Sequence, residues 1–113
     1  MRFCKVLLNG KVLFEKARLM NSFLERLQGL MFKKEIGCNA LVFKDCASIH
    51  SFFCVIPFNV LFIGTNGKIL NHFTNIIPNK IQPPVFGAKY TVEYLGEPVF
   101  IKEDDIIEII PET

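Results

Sequence analysis

Two Asn-Gly dipeptides, Asn9-Gly10 and Asn66-Gly67, each separate a pair of short apolar runs. They constrain the fold more than any other feature. Asn-Gly supplies the two positive φ angles of a type I′ turn, whose twist matches that of paired strands in a two-residue hairpin loop. The first hairpin then joins Phe3–Leu8 to Lys11–Ala17, with Leu8 facing Lys11. The second joins Val60–Thr65 to Lys68–Phe73, with Thr65 facing Lys68, Ile63 facing Leu70, Leu61 facing His72 and Val60 facing Phe73. That register puts Leu61, Ile63, Leu70 and His72 on one face and Val60, Phe62, Ile69 and Phe73 on the other. Both faces are apolar, so the second hairpin needs cover on both sides or a place at the centre of a barrel.

Further strands are expected at Ala40–Phe43, Ser48–Cys54, Lys89–Leu95 and Ile106–Ile110, which are rich in β-branched and aromatic residues. One segment breaks the rhythm. Ser22-Phe23-Leu24-Glu25 fits the capping box, in which the Ser hydroxyl and the Glu carboxylate satisfy free backbone N–H groups. Phe23, Leu27 and Leu30 follow at helical spacing, which predicts a short helix over Phe23–Met31. Ile76–Gly87 carries Pro78, Pro83 and Pro84 and reads as the longest loop.

With 113 residues, half of them hydrophobic, one domain spanning 1–113 is expected and a disordered chain is excluded. The net charge of +2 is too balanced to steer a nucleic acid or a membrane by field alone, so neither is expected as a partner. The distribution is uneven: residues 1–44 carry nine bases and three acids (+6), whereas residues 93–113 carry Lys102 and seven acids (−6). Opposite ends of this kind attract, which favours both termini on one sheet; solvated charged faces are the plainer account. The twelve Phe read as core in a chain that has no Trp, rather than as a platform for bases. Cys4, Cys38, Cys46 and Cys54 form no C-x-x-C pair, and the N-terminal apolar run is interrupted by Lys5, Asn9 and Lys11. A cytoplasmic protein with reduced thiols is the expectation.

Candidate chemistry concentrates in Cys46-x-x-x-His50-x-x-x-Cys54. On a strand, four residues span about 13 Å, too far for one ion to bridge, so neither a metal nor a cofactor is expected. His50 can act as a base toward Cys54 or a carboxylate only if the fold brings the partner from elsewhere. Arg26, with its planar fork of donors, suits an anionic ligand or a structural salt bridge equally. Glu103-Asp104-Asp105 reads as a solvated turn. Phosphate-binding, nucleophile-elbow and zinc-protease motifs are absent from the sequence.

Several of these residues carry a resemblance. Glu25-Arg26-Leu27-Gln28-Gly29-Leu30-Met31 resembles the E-R-x-x-G-L-M signature of the small bacterial and archaeal family known as domain of unknown function 192. Ala40–Phe43 resembles its next apolar strand, Ser48–Phe62 its central motif, Asn66–Ile69 the hairpin that follows, and Ala88–Gly96, with Val92-Glu93, its V-x-E stretch. Cys54 stands where the family usually has Met, Asn59 where it has Asp, and Asp104-Asp105 where it has a Gly-Asp turn. Asp tolerates left-handed φ, so that turn is expected to survive. An amide does not titrate, so Asn59 weakens any acid–base role. The resemblance implies a small, mainly β domain with one short helix and implies no activity.

The expectation is therefore an α+β domain: a mainly antiparallel, strongly curved sheet or small β-barrel with one short helix. The best functional reading is a non-catalytic module binding a small molecule or a protein. Arg26, His50, Asn59 and Cys54 are its expected ligand-binding residues, roofed by the Ile76–Gly87 loop. The alternative is a small hydrolase or transferase using His50 with a Cys or carboxylate partner. A weaker third reading is an assembly module that offers an edge strand to a partner.

Overall fold

The computed structural model of the chain describes residues 2–20, 38–44, 49–50, 56–77, 81–82 and 85–112, with the backbone alone at 49–50 and 81–82. The strands are β1 (Arg2–Leu8), β2 (Lys11–Met20), β3 (Ala40–Lys44), β4 (Ile49–His50), β5 (Phe58–Ile63), β6 (Ile69–Ile76), β7 (Ile81–Gln82), β8 (Tyr90–Tyr94) and β9 (Ile107–Pro111). Seven of them form one sheet in the order β6-β5-β8-β3-β2-β1-β9, while β4 and β7 pair separately.

This corrects the expected α+β class. Among the described residues the chain is all-β, its main sheet is mixed, and the sheet does not close into a barrel. The segment read as a helix, Phe23–Met31, lies outside the described residues. The mixed character comes from β2 and β3, which run parallel with Ala17 beside Ala40 and Met20 beside Phe43. A parallel pair needs a long crossover rather than a hairpin loop, and residues 21–39 are long enough to provide one. Asn39 anchors the start of this pairing. Its N–H donates to Lys16 O at 2.7 Å, and its side-chain oxygen accepts from Lys16 N at 2.7 Å. Among the described residues the two edges meet at one isolated bridge, Lys68 with Ile106, just before β6 and β9 begin, and the sheet stays open.

The first hairpin has the expected turn: Leu8 faces Lys11, and Asn9 and Gly10 have φ of 51° and 84°. The second differs. Gly64 N–H donates to Lys68 O at 2.8 Å and Gly67 N–H to Gly64 O at 3.1 Å, so the loop has three residues, Thr65–Gly67. Of the dipeptide only Gly67 has positive φ, 84°. Asn66 instead accepts the Lys68 N–H on its side-chain oxygen at 3.2 Å, a local turn that Asn favours. The extra loop residue shifts the register at the turn, and a bulge restores it. Ile63 faces Ile69, while Leu61 faces His72 and Val60 faces Phe73 as expected. A one-residue offset exchanges faces. Ile69 accordingly packs with Leu61 and Ile63, and Leu70 with Val60 and Phe62, the reverse of the expected assignment.

Every residue of β5 is buried, with an apolar cluster on each side of the sheet. The first cluster holds Val6, Phe14, Ala17, Val42, Leu61, Ile63, Val92 and Tyr94 among others. The second centres on Leu41, Phe43, Phe58, Val60 and Phe62. The hairpin therefore has the cover on both faces that its pattern requires. Both termini lie on one sheet, with β9 pairing antiparallel to β1. Side-chain hydrogen bonds reinforce that pairing. Asn9 Nδ2 donates to Asp105 Oδ1 at 2.7 Å, Lys102 N to Asp105 Oδ2 at 2.6 Å, and Ile106 N to Asn9 Oδ1 at 2.8 Å. The preceding Asp104 has φ of 73°, so the left-handed turn survives without glycine.

Candidate functional site

Strand β8 lies inside the sheet between β3 and β5 and alternates its side chains between the two clusters. Val92 and Tyr94 enter the first. Thr91 and Glu93 therefore project toward the second, where Glu93 faces Leu41 on β3 and Val60 on β5, and Thr91 faces Phe43 and Phe62. A carboxyl is thus set in an aliphatic row, two residues from a hydroxyl in an aromatic row. Glu93 is only 6% exposed. Among the described residues its carboxyl has no hydrogen-bond or ionic partner. Burial penalises the charged form and pushes its pKa up to about 8 from an ordinary 4.5. At neutral pH Glu93 is a neutral acid, able to donate one hydrogen bond and accept another.

The other buried polar side chains are committed to structure. Asn59 is 1% exposed. Its amide donates to Gly96 O at 3.0 Å and Tyr94 O at 3.4 Å, and its oxygen accepts from Asn75 N at 3.0 Å. It ties β5 to the ends of β6 and β8. The Tyr94 hydroxyl accepts from Val99 N at 3.1 Å and lies 2.7 Å from His72 Nε2. Burial lowers the His72 pKa. Burial also raises that of Tyr94, against the Val99 hydrogen bond. Cys4 is fully buried and its thiol is pushed up to about 11, chiefly by desolvation, which makes it inert at neutral pH.

A groove of about 380 Å³ opens where the sheet fails to close. Ile63 and Tyr90, paired across β5 and β8, form one wall, and Ile107 and Ile109 of β9 form the other. The β5–β6 turn and Glu108 supply the polar rim. The turn is held against β9 by the Ile107 N–H donating to Gly67 O at 2.8 Å. Gly67 is required there, because a Cβ on it would lie 2.5 Å from Ile107 O.

Of the expected site residues, Arg26 and Cys54 lie outside the described residues. The backbone of His50 pairs with Ile81, which puts a strand in the segment read as the long loop. Asn59 is brought to the sheet interior, with its amide spent on backbone groups. Glu93 is the residue that the sequence reading passed over. Its signal was present: one acid in the otherwise uncharged strand Tyr90-Thr91-Val92-Glu93-Tyr94. The groove has no local signal, because its walls are far apart in sequence.

The comparisons with known proteins agree on the family. The model of the DUF192 family, described as uncharacterized ACR, matches residues 5–109. A UPF0127 protein of Pyrococcus horikoshii is 36% identical over 84 residues, covering 69% of this chain and 70% of its own length. A UPF0127 protein of Thermococcus kodakarensis is 29% identical over 111 residues, covering 90% of this chain and 69% of its own. The crystal structure of a protein of unknown function from Novosphingobium aromaticivorans superposes with a TM-score of 0.72 at 21% identity, over 94% of this chain and 83% of that one, a likeness of fold. With residues 5–109, nearly its whole length, matched by the family model, this chain belongs to the DUF192 family.

Proposed function

We propose that the chain is a non-catalytic binding module and that the groove between the β5–β6 turn and β9 is its binding site. The observation that carries this reading is the groove's make-up. Its volume of about 380 Å³ and walls of Ile63, Tyr90, Ile107 and Ile109, with a few polar groups at the rim, match the usual composition of a ligand pocket. The two described residues whose burial shifts their titration nearest neutrality, Glu93 and His72, are not among the groove's lining residues. Glu93 projects toward the second cluster and His72 is hydrogen-bonded to Tyr94.

The test is native mass spectrometry of the chain isolated from its own host, beside a Thr65→Trp variant. Thr65 is an exposed turn residue lining the groove, so tryptophan there obstructs the groove without entering the core. A bound mass retained by the wild type and lost in the variant is expected. Retention of the same mass by both proteins would remove the groove from the reading. Turnover of a p-nitrophenyl ester that disappears in His50→Gln would overturn the non-catalytic part.

A further inference from the structure

The strand bounding the groove is itself unfinished. Asn9 N–H donates to Ile106 O and Glu112 N–H to Phe3 O. These two bonds set the alternation along β9: the peptide groups of even-numbered residues point to β1, and those of Ile107, Ile109 and Pro111 point away. The Ile107 N–H is taken by Gly67 O, in the short antiparallel bridge of Lys68 with Ile106. Two residues further on, the N–H and C=O of Ile109 meet no partner among the described residues, and Ile109 lines the groove. Pro111 then ends the edge, having no N–H to offer. The bridge at Ile106 thus begins an antiparallel pairing on the outer side of β9 that stops one step later, at the groove.

Two features define what completes it. The groove walls, Ile63, Tyr90, Ile107 and Ile109, want an apolar side chain. The charged lining residue is an acid, Glu108. Glu103 and Asp104 before β9 and Glu112 after it are exposed too, against one exposed base beside the groove, Lys68, which bridges Ile106.

We propose that the groove receives an extended segment of a partner protein, alternating apolar and basic residues, which adds as a strand to the outer edge of β9 at Ile109. This is recognition by strand addition, in which main-chain hydrogen bonds give affinity and side-chain pockets give specificity. It rests on the groove being the binding site. It goes further by naming the occupant.

The test uses the full chain and two synthetic peptides, one alternating lysine with valine and one alternating glutamate with valine, followed by NMR and amide exchange. The lysine peptide is expected to bind saturably and to slow exchange at the Ile109 amide at least tenfold, with affinity falling as salt rises. Glu108→Lys, an exposed change, is expected to weaken it at least fivefold. Ile109→Pro removes the outward N–H while leaving the bonds to β1 in place, and is expected to weaken it at least tenfold. Equal binding of the two peptides, or binding with no change at Ile109, overturns the proposal. So does concentration-dependent protection of Ile109 without peptide, which would make a second copy of the chain the occupant. Nile red, a neutral apolar dye, separates the two readings. Dye shifts at Tyr90 and Ile63 without any peptide response leave the binding groove standing and defeat strand addition. No response to dye or peptide defeats both.

Discussion

Glu93 makes the stability of this protein depend on pH in a direction opposite to that of a paired surface acid. In the unfolded chain its carboxyl ionises near 4.5, whereas in the fold it holds its proton up to about 8. Between those values the folded state carries one more proton than the unfolded state, so stability falls as pH rises. The slope is about 1.4 kcal/mol per pH unit. Over the roughly 3.5 pH units from 4.5 to 8 the loss reaches about 5 kcal/mol, a large part of a small domain's total stability. Other shifted groups among the described residues act outside the upper part of this window. The lowered His72 weakens the fold only as pH falls below its ordinary value of 6.5, and Asp105, held low first by the Lys102 N–H, acts lower still. Cys4 costs stability only as pH rises from 9 toward about 11. Urea unfolding followed by circular dichroism between pH 6.5 and 8.5, compared between the wild type and Glu93→Gln, therefore reads Glu93. The wild type is expected to lose about 2 kcal/mol between pH 6.5 and 8. Glu93→Gln keeps the shape and removes the titration, so its stability should stay level and exceed that of the wild type above pH 8. A wild-type stability constant across this range would mean that Glu93 is ionised in the fold, and the argument from its burial would fail.

Two further outcomes test the structural account. Gly67→Ala puts a Cβ at a φ of 84° and within 2.5 Å of Ile107 O; a loss on the order of 2–4 kcal/mol is expected in urea unfolding, with Ile107 the first amide of β9 to lose exchange protection. Asn59→Asp installs the acid usual in the resembling family and removes both donors to Tyr94 O and Gly96 O; it should cost about 2–4 kcal/mol at pH 7 and less at pH 4, where a protonated Asp can donate one bond again.

The hairpins show where the fold was legible in the sequence and where it was not. Asn9-Gly10 specified its turn, because the local φ requirement agrees with the pairing of Leu8 with Lys11 and Leu7 with Val12, while the register slips beyond Leu7 were not encoded there. Asn66-Gly67 specified a turn but not its length. The Asn66 side chain can satisfy the Lys68 N–H locally, and the apolar pattern on either side accepts both lengths. Alternation alone then assigned Ile69 and Leu70 to the wrong faces, because both are apolar and neither face rejects them. The parallel pairing of β2 with β3 was illegible for a different reason. Strand direction is decided by where a long connection delivers the chain, and no residue in either strand encodes it. The charge asymmetry allowed a tie between the ends, with solvated faces the plainer account, and the tie that forms has a different cause. Among the described residues the ion pair is Lys5–Glu15 at 3.4 Å, within the first hairpin, while β1 and β9 are held by backbone pairing and the Asn9–Asp105 bonds.

The candidate site divides along the same line. Composition picks out rare polar residues in apolar surroundings, and that criterion led to Asn59 as a ligand-binding residue; the fold buries it and spends its donors on the carbonyls of Tyr94 and Gly96. Applied to β8 the same criterion leads to Glu93, where the chain supplies no such partner among the described residues. The difference between the two is not visible in either residue's neighbours along the chain. It lies in the third dimension: Asn59 sits where β5 meets strand ends with free backbone groups, whereas Glu93 sits between Leu41 and Val60, whose backbones are occupied by the ladders on either side. A polar residue at the end of a sheet finds partners in the fold, while one in its middle faces only side chains. In this protein that rule separates a clamp from an acid left protonated, and it makes the acid the residue whose titration reports most directly on whether the sheet is intact.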